Sequence, residues 1–174
     1  MAEREFKGLV QVYTGDGKGK TTAALGQALR AAGQGMKVIF IQFLKGEEGG
    51  EHYQVVKNDA FEIVQVGKGN IFQKSDEQLL SESRQAFELA EKALMGGNYD
   101  MVVLDEIFIA HWRGFISLND ILSLIESKPG HVELILTGRK APAEVIRQAD
   151  LVTEMLMIKH PFTSGVHQRK GIEY

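Results

Sequence analysis

Short apolar runs alternate with longer amphipathic stretches along most of the chain. Residues 8–13, 37–43, 62–66, 101–104 and 132–136 are nearly continuous apolar runs of strand length, and 151–158 is the expected last strand. Runs of that kind belong to strands buried on both faces. Between them, residues 22–32 are rich in alanine and leucine and predict a helix that Gly33 and Gly35 stop. Ser75 followed by Gln78 has the form of a capping box and opens a long helix to about Met95, ended by Gly96, Gly97 and Asn98. Ser117 and Asp120 form a second box, opening a helix to about Ser127, with a turn at Pro129 and Gly130. Pro142 suits the first turn of a further helix that reaches about Ala149. Residues 44–58 and 67–74 are polar or glycine-containing and read as loops, the first with room for a short helix. The tail from Lys159 is basic and carries Phe162.

Strands that alternate with helices in this way predict an α/β fold, a parallel sheet with helices on both faces. The chain has 174 residues, no internal repeat and no linker, so residues 1–174 read as one domain with a sizeable core. A net charge of −3 gives no reason to expect nucleic acid or a membrane surface as partner. With no cysteine, disulfides, thiolate metal sites and a cysteine nucleophile are excluded. The N-terminal residues lack the apolar core of a signal peptide, and no apolar run approaches membrane-spanning length. A cytoplasmic enzyme or binding protein is the expectation.

The chemistry concentrates in the turn after the first strand, VYTGDGKGKTT. Gly19, Lys20 and Thr21 supply the end of the phosphate-loop pattern G-x-x-x-x-G-K-[ST], with Thr14 where the first glycine is usual. Gly15, Gly17 and Gly19 let backbone N–H groups turn toward an anion, and the following helix N-terminus adds positive potential. Gly15, Asp16, Gly17, Lys18, Gly19, Lys20, Thr21 and Thr22 are therefore the candidate nucleotide-binding residues, with Lys20 on phosphate oxygens and Thr21 on magnesium. Asp105 and Glu106 follow a buried strand, at the end where ligands bind in open α/β sheets, and either acid can hold Mg2+ directly or through water. Arg139 follows the fifth strand and reaches the same crevice as a phosphate clamp. The histidines have no metal-binding spacing, and no nucleophile elbow is present. The residues thus describe a P-loop NTPase-like (RecA-like) protein for ATP and Mg2+ whose nucleophile arrives from outside. A P-loop ATPase, a small-molecule kinase and a non-catalytic nucleotide-binding module all remain open at this point.

The loop TGDGKGKTTAALG, the segments VIFIQFLKG, YDMVVLDE, PGHVELILTGR and ADLVTEM, and the tail IKHPFTSGVHQRKGIEY together resemble the ATP:corrinoid adenosyltransferases. The resemblance runs from Leu9 to Tyr174. It implies that cobalt(I) of a corrinoid attacks the ribose 5′ carbon of ATP and expels inorganic triphosphate, with ATP held in the reverse of the usual sense. By the same resemblance Lys20 and Thr21 are catalytic, Thr21 and Glu106 hold Mg2+ with Asp105 nearby, and Phe72 contacts the corrinoid. In the family that contact is an aromatic pair that helps hold cobalt without its axial base. Phe72 corresponds to its second member, and Asn70 replaces the first. The resemblance also implies an electron donor such as a flavoprotein and a homodimer. Family members carry a longer N-terminal extension that helps cover the site, and few residues precede the first strand of this chain.

Overall fold

The computed structural model describes residues 6–55 and 58–173. Residues 1–5 of the segment read as no signal peptide, residues 56–57 of the first polar loop and Tyr174 of the tail lie outside the described residues. Among the described residues six strands form one sheet: β1 (Val10–Thr14), β2 (Val38–Gln42), β3 (Phe61–Gln65), β4 (Met101–Asp105), β5 (Glu133–Thr137) and β6 (Leu151–Glu154). Their order is β3-β2-β4-β5-β1-β6 and every pairing is parallel. The helices are α1 (Lys20–Gly33), α2 (Gly50–Val55), α3 (Asp76–Met95), α4 (Ile107–Trp112), α5 (Leu118–Ser127) and α6 (Ala143–Gln148).

The continuous apolar runs serve two cores, because alternate residues of a strand point to opposite faces. Val38, Phe40, Met101, Val103 and Ile135 point to one face, where Ala24, Ala28, Ala31 and Ala32 of α1 cover them. Ile39, Ile41, Val102, Leu104, Leu134 and Leu136 point to the other and meet residues of α3, α4, α5 and α6. Alanine at the covered positions lets the backbone of α1 approach the sheet closely. Both capping boxes form: Ser75 Oγ accepts from the N–H of Gln78, Ser117 Oγ accepts from that of Asp120, and each partner side chain reaches back.

β5 lies between the strand that feeds the phosphate loop and the strand that ends in the acids. The carboxyl ends of β1, β4 and β5 therefore share one edge of the sheet, which is what brings the loop, Asp105 and Thr137 together.

Three elements differ from the sequence expectation. α4 starts immediately after the acids and carries no capping side chain, since Glu106 occupies its N-cap position in a left-handed conformation (φ 62°). No boundary signal announces it. β6 stops at Glu154 rather than continuing to 158, because the chain leaves the sheet to line the phosphate loop. Pro142 precedes the first turn of α6 as its cap instead of lying within that turn.

Ala28 is fully buried between α1 and the sheet. Ala28→Leu inserts methylenes at a fully covered position and should cost about 1–3 kcal/mol. Chemical denaturation will show this as a lower midpoint at unchanged slope; an unchanged midpoint would mean that α1 is not tightly seated.

Candidate active site

The phosphate loop runs from Thr14 to Thr21 and needs glycine for two separate reasons. Gly15 and Gly19 have φ of 95° and 125°, where side chains are strained. Gly17 lies against the chain after β6, where an added Cβ would sit 2.7 Å from the carbonyl oxygens of Met155 and Leu156. Its N–H donates to the Met155 carbonyl at 2.7 Å, and the Met155 N–H donates to the Thr14 carbonyl at 2.8 Å. The loop is thus braced from behind by the segment that follows the edge strand.

Lys20 stands at the first position of α1 and is buried. Its ammonium donates to the carbonyls of Gly15 and Gly17 at 2.7 and 2.8 Å, so it lies across the concavity of its own loop. Burial pushes its pKa down, while Glu106 works in the opposite sense. An ammonium held only by neutral carbonyls keeps its full charge available to an anion.

Asp105 ends β4 with its side chain completely buried. Its Oδ1 accepts from the Thr21 hydroxyl at 2.9 Å and the Thr137 hydroxyl at 2.8 Å. Its Oδ2 accepts from Lys45 Nζ at 3.1 Å and, more weakly, from Gln42 Nε2 at 3.5 Å. Two hydroxyls, an amide and an ammonium satisfy the carboxylate, and Lys45 balances its charge, which a buried acid requires. Thr137 also accepts from the backbone N–H of Glu106 at 3.0 Å, which holds the bend between β4 and α4.

The Glu106 carboxyl is in a different state. Burial above all, and then the negative charge of Asp105, raise its pKa, opposed by Lys20, Lys45 and Arg139. No hydrogen bond contributes to its shift. Glu106 is thus a partly buried acid facing cations, with its oxygens uncommitted among the described residues.

The backbone is contorted around this crevice. Among the described residues, the non-glycine residues with positive φ are Leu44, Glu106 and Lys140, and they follow β2, β4 and β5 respectively. Such conformations are costly and persist where the surroundings enforce them. Gly138, two residues before Lys140, brings the turn after β5 within 2.8 Å of Phe108 Cβ, as measured from the Cβ it lacks.

The expected residues separate into groups. Thr21, Asp105, Lys20 and Glu106 come together. The guanidinium Nε of Arg139 lies 4.0 Å from an oxygen of Asp16, both well exposed, so Arg139 stands at the rim of the loop. Lys18 is held by the tail: its ammonium donates to the Ile172 carbonyl at 2.9 Å and to Glu173 at 3.0 Å. Thr22 lies in the first turn of α1. Phe72 sits in a 3-10 turn (Ile71–Gln73) and is 91% exposed, with its N–H donating to the Asn70 side chain at 2.9 Å. Its link to the crevice is indirect: the Gly69 N–H donates to the Gly46 carbonyl, which ties its loop to the one carrying Lys45.

Sequence reasoning overlooked Lys45, Gln42 and the hydroxyl of Thr137. Each had a signal. Gln42 and Thr137 are polar residues closing apolar strands, and Lys45 is the first charged residue after the apolar run 37–43. Polar side chains at strand ends point into the crevice together.

The described residues match known proteins along nearly their whole length. The family model for "ATP:corrinoid adenosyltransferase BtuR/CobO/CobP" matches residues 6–174. A corrinoid adenosyltransferase of Pseudomonas aeruginosa is 34% identical over 174 residues, covering 98% of this chain and 86% of its own. One from Sinorhizobium is 37% identical over 173 residues, covering 97% and 81%. Corrinoid adenosyltransferase CobA of Salmonella typhimurium is 33% identical over 172 residues, covering 98% and 88%. With the loop, the acids and the parallel sheet in place, a match of this extent means that the chain belongs to the ATP:corrinoid adenosyltransferase family.

Proposed function

We propose that this chain transfers the 5′-deoxyadenosyl group of ATP to cobalt(I) of a corrinoid and releases inorganic triphosphate. The observation that carries the reading is a near full-length match to adenosyltransferases around a phosphate cradle. In this reaction the nucleophile is the second substrate. The cobalt(I) electron pair forms the carbon–cobalt bond as the bond between the ribose 5′ carbon and its oxygen breaks. That oxygen leaves with the triphosphate, where the negative charge develops.

The chain's part is then to bind and stabilise a leaving group. The N–H groups of the loop and the α1 N-terminus supply fixed positive potential before reaction begins. Lys20 exchanges the Gly15 and Gly17 carbonyls for phosphate oxygens, and Arg139 clamps from the rim. Gly15, Asp16, Gly17, Lys18, Gly19 and Thr22 form the wall of the nucleotide site.

A magnesium ion fits the donor set. Thr21 and Glu106 offer hard oxygen ligands, and the uncommitted Glu106 carboxylate is the donor a divalent cation satisfies. Asp105 orients Thr21 by accepting its hydroxyl. When present, the ion supplies Lewis-acid charge at the polyphosphate oxygens.

Phe72 is the corrinoid-facing residue in this reading, since a bare aromatic on a loop tied to the crevice suits a flat ring. The reaction also requires an electron donor, such as a flavoprotein, to generate cobalt(I). Homodimeric assembly, a cytoplasmic location and a single domain over residues 1–174 complete the proposal. Among the described residues no helix is long and apolar enough to cross a membrane.

Supplying ATP and chemically reduced cobalamin tests the function. The visible spectrum should become that of adenosylcobalamin in proportion to enzyme and ATP; an unchanged cobalt(I) spectrum alongside ADP production would favour a hydrolase or kinase. Lys20→Ala should lower kcat by on the order of a hundredfold with a smaller change in the KM for ATP, because charge on the leaving group grows in the transition state. A change confined to KM would assign Lys20 to ground-state binding. Phe72→Ala should slow turnover from cobalt(II) more than from pre-reduced cobalt(I). Equal losses in the two assays would assign it a plain binding role.

A further inference from the structure

The mechanism gives Lys18 no part beyond lining the nucleotide site. It lies in the phosphate loop, yet two of its three N–H donors are committed to the tail, 154 and 155 residues away in sequence. The tail end that receives them is a preformed clamp. Gly171, at φ 79°, lets the chain fold back so that the N–H groups of Ile172 and Glu173 both donate to the Arg169 carbonyl, at 3.2 and 3.0 Å. Glu173 is then gripped by Arg169 from three directions: backbone N–H to Oε2 at 2.7 Å, Nε to Oε2 at 3.2 Å and Nη2 to Oε1 at 3.0 Å. The carboxylate pKa is driven down to about 2, chiefly by Arg169 and then by Lys18, so it is ionised at neutral pH.

The remainder of the tail is loosely held. Residues 161–168 are all exposed, and the 3-10 turn there (Pro161–Ser164) buries no residue. An otherwise exposed segment therefore ends in an ordered turn that holds one loop cation from two sides.

We propose that Glu173 is a positioning residue: with the Ile172 carbonyl it fixes Lys18 so that the remaining N–H of its ammonium meets the polyphosphate, and anion binding in turn tightens the tail on the loop. Arg169 neutralises Glu173, which leaves the Lys18–Glu173–Arg169 group with a net positive charge toward the ligand. The ligand class is a polyphosphate, free or as part of ATP. The proposal rests on the reading of the loop as a polyphosphate cradle.

Inorganic triphosphate with magnesium is the probe, measured by calorimetry and by trypsin cleavage after Arg169 and Lys170. In the wild type, triphosphate should bind and slow that cleavage. Glu173→Gln keeps the size of the side chain and removes its charge. It should weaken triphosphate binding about three- to fivefold, as loss of an exposed ion pair permits, and abolish the protection without lowering the thermal midpoint. Glu173→Asp should restore part of both. Two results would overturn the proposal while leaving the cradle intact: wild-type binding with no change in tail cleavage, or tighter binding by Glu173→Gln, which would mean that the carboxylate competes with the ligand for Lys18. Failure of the wild type to bind either triphosphate or ATP would overturn the cradle itself along with the proposal.

Discussion

The buried carboxylate of Asp105 is the constraint on which the rest of the crevice depends. A charge with no exposure is tolerable only if donors surround it, and here they come from four other places in the chain: α1 through Thr21, β5 through Thr137, β2 through Gln42 and the loop after β2 through Lys45. Satisfying one acid therefore fixes the positions of three strand ends and a helix. It also decides the state of the neighbouring acid. With Thr137 engaged by both the Asp105 carboxylate and the Glu106 N–H, the chain bends into a left-handed turn that sends Glu106 toward Lys20 with its oxygens uncommitted. One acid is structural because it is saturated; the next is available because it is not.

The same arrangement explains why the site suits an incoming nucleophile better than one supplied by the protein. Apart from Glu106, which is left for a cation, its polar groups are either committed to holding the edge of the sheet together or cationic and beside the loop. Lys20 lies across the concavity on carbonyls that an anion can replace. Such a site stabilises negative charge where it accumulates, the requirement when the group held is the one that leaves.

Much of this was legible in the sequence. The apolar runs at 37–43 and 101–104 gave buried parallel strands, and the serine boxes at 75 and 117 gave helix starts, because burial on both faces and capping leave local signatures. The order of loop, acids and Arg139 along the chain followed from the rule that ligands meet the carboxyl ends of strands. What escaped is nonlocal or sterically imposed. α4 begins on the bend at Glu106, whose conformation is enforced by Thr137 from another strand and by no capping residue of its own. β6 ends early because the glycines at 15 and 17 accept the backbone of Met155 and Leu156, a fit between segments 140 residues apart in sequence that neither announces alone. Lys18 was read with the phosphate ligands because its place in the loop is visible, whereas its partner Glu173 becomes visible only when the tail is folded back.

A cradle of this kind can hold either an electrophilic terminal phosphate or a whole departing polyphosphate, and only the bond that breaks separates the two. Phosphorus NMR of a reaction with ATP and reduced corrinoid measures that directly. Free inorganic triphosphate should appear in step with the carbon–cobalt product, one for one. Stoichiometric ADP and orthophosphate would contradict the account.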